Sequence, residues 1–236
     1  MKYMGAKSRI AKYIVPLMVK AADEKGITQW VEPFVGGGNL IDKVPSRFTR
    51  VGTDANPHVI AALKDIREHP DKLPEHVSEE EYKAMLGRPP ESITSWVRFV
   101  CAFSGQFESG YAKDKTERNY AAEGKRNALK QSPHLHGVAL AVRDYRQAES
   151  LTASSLIYCD PPYKGTSGYK TGEFNHDEFY AWCEQMADKH IVFVSEYVAP
   201  EQWDVVYEKE QICNLNNVTS KATQRVEKLF RVKREA

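Results

Sequence analysis

The sequence has few cysteines, and they are scattered. Four in 236 residues, Cys101, Cys159, Cys183 and Cys213, form no C-x-x-C pair and accompany no histidine cluster. Structural zinc sites need such close ligand pairs, so no metal is expected and the cysteines read as buried thiols in a reducing compartment. Long apolar runs are also missing. None approaches the ~18 residues of a membrane span, and "MKYMGAKSRI" has no secretory core. A cytoplasmic protein without membrane contact is therefore expected. Charge of one sign is lacking too. The net charge of +1 gives the chain no overall attraction to nucleic acid. There is no internal repeat and no low-complexity segment.

Local charge is uneven. Tyr111 to Gly137 holds six Lys/Arg against three acids, and Lys221 to Arg234 six against one. Lys64 to Glu91 reverses this, with five bases and eight acids. Basic stretches of this kind serve as solvated faces or as contacts to phosphate.

Ile10, Ile14, Leu17 and Met18 recur at helical spacing, which predicts a helix over about residues 7–22. "QWVEPFVGGGN" reads as a strand running into a glycine loop, and "RVGTDAN" as a strand before a helix at 56–68. From about 70 to 133 the chain is polar and helical, broken at "PDKLPEHVSEEEY" and "GRPPESITSW". "GVALAVRDY" and "SLIYCDPPY" resume strand character. "DEFYAWCEQMADK" is a helix, and "HIVFVSEY", "WDVVYEK" and "VEKLFRVK" are three more strands. Alternating strands and helices predict an α/β, doubly wound and mostly parallel sheet, with an antiparallel hairpin at one edge. The division expected is a discontinuous domain, 1–66 and 134–236, interrupted by a helical insert at 67–133.

Sheets of this kind bind ligands at the carboxyl ends of their strands. Gly36, Gly37 and Gly38 end the first strand and allow close backbone approach. A dinucleotide G-x-G-x-x-G would need its third glycine at Ile41. Asp54 ends the second strand, where an acid can accept both hydroxyls of a ribose. Asp144 and Tyr145 follow the third, an acceptor for an adenine amino group and a ring to pack on it. In "LIYCDPPY", ionised Asp160 only accepts hydrogen bonds, and Pro161 has a carbonyl without an N–H. Successive prolines stiffen the turn, so two acceptors side by side suit a substrate NH₂. Tyr163 offers a flat face to a planar base.

Taken in order, Lys2 to Lys7, Glu32 to Gly38, Asp54 to Asn56 and Asp160 to Tyr163 resemble the Dam-type (D12 class) DNA adenine-N6 methyltransferases. The resemblance covers about residues 1–66 and 137–236, and implies a Rossmann-like methyltransferase fold. By that resemblance Tyr3 and Lys7 line an S-adenosylmethionine pocket. Gly36 to Gly38 lie under its methionine part, Pro33 and Phe34 also bind the cofactor, and Asp54 binds its ribose. Asp144 and Tyr145 match a shorter motif of the pocket. Asp160, Pro161, Pro162 and Tyr163 hold the target amine, Asp160 also lying near the cofactor. The implied product is S-adenosylhomocysteine, and the implied partner is double-stranded DNA, with its base flipped into the site. The insert would recognise the target, with Lys113, Lys115, Arg118, Lys125, Arg126 and Lys130 as candidate phosphate contacts. The same machinery serves cytosine N4 or RNA adenine. A nucleotide-dependent oxidoreductase is the rival outside methyl transfer, but it gives "DPPY" no role. Nothing in the sequence signals an oligomeric state.

Overall fold

In a computed structural model, residues 1–113, 118–164, 174–213 and 223–233 are described. Among the described residues six α-helices accompany a mixed seven-stranded sheet whose strands are mostly parallel. In chain order the elements are α1 (Ala11–Glu24), β1 (Gln29–Glu32), β2 (Thr49–Asp54), α2 (Pro57–Glu68), α3 (Glu79–Met85) and α4 (Ser92–Val100). Then follow α5 (Tyr120–Leu135), β3 (Val138–Val142), β4 (Leu156–Cys159), α6 (His176–Ala187), β5 (Ile191–Glu196), β6 (Asp204–Cys213) and β7 (Thr223–Arg231). The chain divides into two compact units, one of Met1–Val15 with Pro33–Tyr145, the other of Pro16–Glu32 with Arg146–Ala236.

In the first unit β2 and β3 pair in parallel, with Asp54 opposite Val142 at their carboxyl ends. The helix α2 starts where Asn56 accepts from the amide of His58 and Pro57 occupies the first turn. Both are strong start signals, since the cap satisfies an orphan amide and proline has none to satisfy. One face of α2 buries Val59, Ile60, Ala62, Leu63 and Ile66. Ser78 and Glu81 form a reciprocal capping box on α3. The expected first helix begins later than its periodicity suggests. Lys7–Arg9 form a short 3₁₀ turn, and α1 proper starts at Ala11.

In the second unit β1, β4 and β5 run parallel, while β7 pairs antiparallel with both β5 and β6. Every residue of β4 and of β5 is buried. That is what continuous apolar runs do in a parallel sheet covered on both faces. Cys101, Cys159 and Cys183 are buried free thiols, and burial pushes Cys101 up to about 11. Among the described residues no cluster of His, Cys, Asp or Glu could hold a metal ion, and no helix is long and apolar enough to cross a membrane.

Candidate functional site

The first unit carries a glycine turn closed over its own side chains. Gly36 has φ of 47°, and a Cβ there would lie 2.9 Å from the Tyr3 ring. At Gly37 a Cβ would meet Asn39 Nδ2 at 2.5 Å and Tyr3 Cβ at 2.7 Å. No side chain larger than hydrogen fits without displacing Tyr3. Gln131, buried on α5, donates from Nε2 to the carbonyls of Gly37 (3.1 Å) and Gly38 (3.0 Å). The turn is thus anchored to a helix more than 90 residues away in sequence.

Asp54 sits beside this turn. Its Oδ2 accepts from the Gly36 amide at 3.1 Å and its Oδ1 from the Asn56 amide at 2.9 Å. Burial raises its carboxyl to about 6, the two amides pulling the other way. The Arg143 amide donates to the Asp54 carbonyl at 3.1 Å, bringing the end of β3 alongside, with Asp144 next in the chain. Tyr145 is buried and stacks on Phe34, centroids 5.5 Å apart and planes inclined by 25°. Lys7 turns back on its own loop, Nζ donating to the Gly5 carbonyl at 2.8 Å. Tyr3, Phe34, Gly36 to Gly38, Asp54, Asp144 and Tyr145 therefore all belong to this one unit.

In the second unit the Asp160–Tyr163 turn follows β4 directly. Three side chains hold it. His176 Nε2 lies 2.9 Å from the Pro162 carbonyl and, as the only possible donor of the two, carries the proton. Glu196, fully buried at the end of β5, accepts from the Lys164 amide (3.0 Å) and from its neighbour Tyr197 (2.7 Å). Tyr163 Oη donates to Glu227 Oε1 at 2.5 Å, and the Tyr163 ring meets Tyr197 edge-on at 4.6 Å. Burial, with the charges of Asp160 and Glu227, pushes the Tyr163 phenol well above its ordinary range, so it remains a donor. Beneath the turn, Tyr158 and Ser195 share a hydrogen bond of 2.8 Å.

Sequence reasoning missed Glu196, Glu227, His176 and Gln131. A signal existed for Glu196, since "HIVFVSE" ends a buried strand with an acid just as Asp54 and Asp160 do. The basic candidates divide. Lys113 pairs with Glu79, Arg118 forms two bonds of 2.6 Å to Glu123, and Lys125 pairs with Glu75 at 3.1 Å. Arg126 and Lys130 stand exposed one turn apart on α5, and Lys115 lies outside the described residues. Ahead of α5, buried Arg98 of α4 pairs with Glu108, which holds a left-handed φ of 54°, as Ser104 does at 55°.

Residues 3–91 and 100–221 match the family described as D12 class N6 adenine-specific DNA methyltransferase. The type II methyltransferase M.MjaIII of Methanocaldococcus jannaschii is 23% identical over 220 aligned residues, covering 75% of this chain and 75% of that protein. Among solved structures, magnesium protoporphyrin IX methyltransferase of Synechocystis PCC 6803, with bound S-adenosylmethionine, aligns at TM-score 0.40 and 9% identity, over 96% of this chain and 80% of that one. The putative methyltransferase yhhF of Escherichia coli aligns at TM-score 0.38 and 11% identity, over 95% and 86%.

Proposed function

The chain belongs to the D12 class N6 adenine-specific DNA methyltransferases, and from that premise we propose how its residues divide the work. The reaction moves a methyl group from S-adenosylmethionine to adenine N6 in DNA. When bound, the cofactor supplies an electrophilic methyl on a sulfonium and leaves as S-adenosylhomocysteine. The first unit's residues fit it. The Gly36–Gly37 turn, braced by Tyr3, sits beside Asp54, and each oxygen of Asp54, already taking one amide, has a lone pair left for a ribose hydroxyl. Phe34 and Tyr145 provide aromatic surface for an adenine ring.

The second unit orients the amine. Asp160 and the Pro161 carbonyl accept from its two hydrogens, which leaves the nitrogen lone pair aimed outward. The Asp160 carboxylate then stabilises the positive charge that develops as nitrogen bonds to carbon. Because N6 cannot be reached within a stacked duplex, the base is flipped out and rests on Tyr163. One observation carries this reading. The Asp160–Tyr163 turn is tied to three separate elements, by His176, Glu196 and Glu227, before any substrate arrives. Such preorganisation is what positioning of a weak nucleophile requires.

The test is mass spectrometry of nucleosides from the DNA and RNA of a host expressing the protein, with modification-sensitive sequencing to map the site. N6-methyladenine in DNA is expected, lost by at least ~100-fold with Asp160→Ala, the scale of removing one oriented polar group at a reacting centre. N4-methylcytosine, or methylation confined to RNA, would overturn the assigned target. Undiminished transfer by the variant would overturn the role of Asp160.

A further inference from the structure

Glu227 is buried on β7, a strand bonded on both sides, with Lys228 opposite Glu196 of β5 and Glu227 itself opposite Lys209 of β6. Its backbone is held in the ladder with β6, one residue from the end of the ladder with β5. Along a strand alternate residues share a face, so Glu227 points the same way as Leu229, which is 1% exposed. A carboxylate at a core-facing position of an interior strand is costly unless hydrogen-bonded. Among its partners is the hydroxyl of Tyr163, 64 residues earlier in the chain.

We propose that Glu227 is a positioning residue for methyl transfer, its carboxylate fixing the plane of the Tyr163 ring on which the target base rests. The inference builds on the reading of Tyr163 as that platform. A tyrosine has two rotatable side-chain bonds. The turn fixes its Cα end through His176 and Glu196, Glu227 fixes the hydroxyl end, and Tyr197 meets the ring at 90°. A ring held at both ends has its plane set before the base arrives, so stacking need not order it. The raised phenol pKa keeps the proton on Tyr163 and the bond in place across the neutral range.

The test uses the full chain and two duplexes carrying the mapped site, one with the target adenine for turnover and one with 2-aminopurine in its place for fluorescence. Glu227→Leu should lower kcat by about 10-fold or more, as expected for a reacting group slightly misplaced, while cofactor affinity is unchanged. The 2-aminopurine fluorescence of the complex with S-adenosylhomocysteine should shift, reporting a base held differently. Glu227→Gln retains an acceptor oxygen and should restore both readings to within about 3-fold. Tyr163→Phe removes only the hydroxyl and should reproduce Glu227→Leu, and the double variant should be no worse than either single one. If Glu227→Leu does not fold, Tyr163→Phe decides alone. Turnover at the wild-type level in Tyr163→Phe, or losses that add in the double variant, would overturn the proposal. Tyr163→Ala separates the two levels. Unchanged turnover there overturns the platform itself, whereas a loss there beside an intact Glu227→Leu overturns only the role of Glu227.

Discussion

Asp54 shows how a residue proposed to hold the ligand can do so at some expense to the fold. Its ordinary carboxyl value of 3.8 rises to about 6 because burial disfavours the charge more than the amides of Gly36 and Asn56 favour it. Between those two values the folded chain holds a proton that the unfolded chain releases. Stability from this group therefore falls as pH rises from about 4 to 6, and is regained on acidification. Cofactor binding should run the other way, because only the carboxylate accepts from both ribose hydroxyls. S-adenosylmethionine affinity, measured calorimetrically without DNA, should weaken as pH drops below about 6 in the wild-type protein. It should be nearly flat across that range in Asp54→Asn. At neutral pH Asp54→Ala should weaken binding by about 1.5–3 kcal/mol, the worth of a charge-assisted hydrogen bond. Unchanged affinity in both variants would reduce Asp54 to a brace for the glycine turn.

Helix α2 carries a second raised acid with no such use. Asp65 is 6% exposed among the helix's apolar residues, and its Oδ2 has no hydrogen-bond partner among the described residues. Burial first, and then the charge of Glu68, raise it to about 6. The cost of this group accrues as pH rises from its ordinary 3.8 to about 6 and is complete above that, so Asp65→Asn should raise Tm most at pH 8 and leave it nearly unchanged at pH 3.5. Each kcal/mol recovered is worth about 2–4 °C in a chain of this size. Thermal unfolding at both pH values checks this, and an equal shift at both would rule out ionisation as the cause. Elements such as α2 were legible in the sequence because their signals are local. Asn56–Pro57 marks the start of α2, the Phe179, Cys183 and Met186 spacing marks α6, and the apolar runs mark β4 and β5. The ends of those strands were legible for the same reason, an acid or glycine turn following an apolar run. What holds the ends was not. Glu196 reaches Lys164 across 32 residues and Glu227 reaches Tyr163 across 64. In sequence a buried carboxylate of this kind looks like a solvated one.

For the molecule as a whole, a net charge of +1 must be reconciled with a DNA substrate. Attraction to phosphate then depends on where the cations stand and which acids already occupy them. Between residues 75 and 125 Glu79, Glu123 and Glu75 take Lys113, Arg118 and Lys125. A cation paired this way releases little when it meets a phosphate, because its acid must first be displaced. Arg126 and Lys130 are exposed on the same helix, four residues apart, a spacing that places both on one face. Replacing both with Gln should weaken binding to every duplex alike, because phosphate contacts carry no sequence information. The slope of log affinity against log salt should shrink by about 0.9 for each phosphate that is no longer neutralised. Replacing Lys113 and Lys125 instead should change that slope less, and cofactor affinity without DNA should be the same in all these variants. Fluorescence anisotropy between about 50 and 200 mM salt resolves the two cases. A slope unchanged by the Arg126 and Lys130 replacements would move the phosphate-binding surface off α5, to the basic residues between 221 and 234.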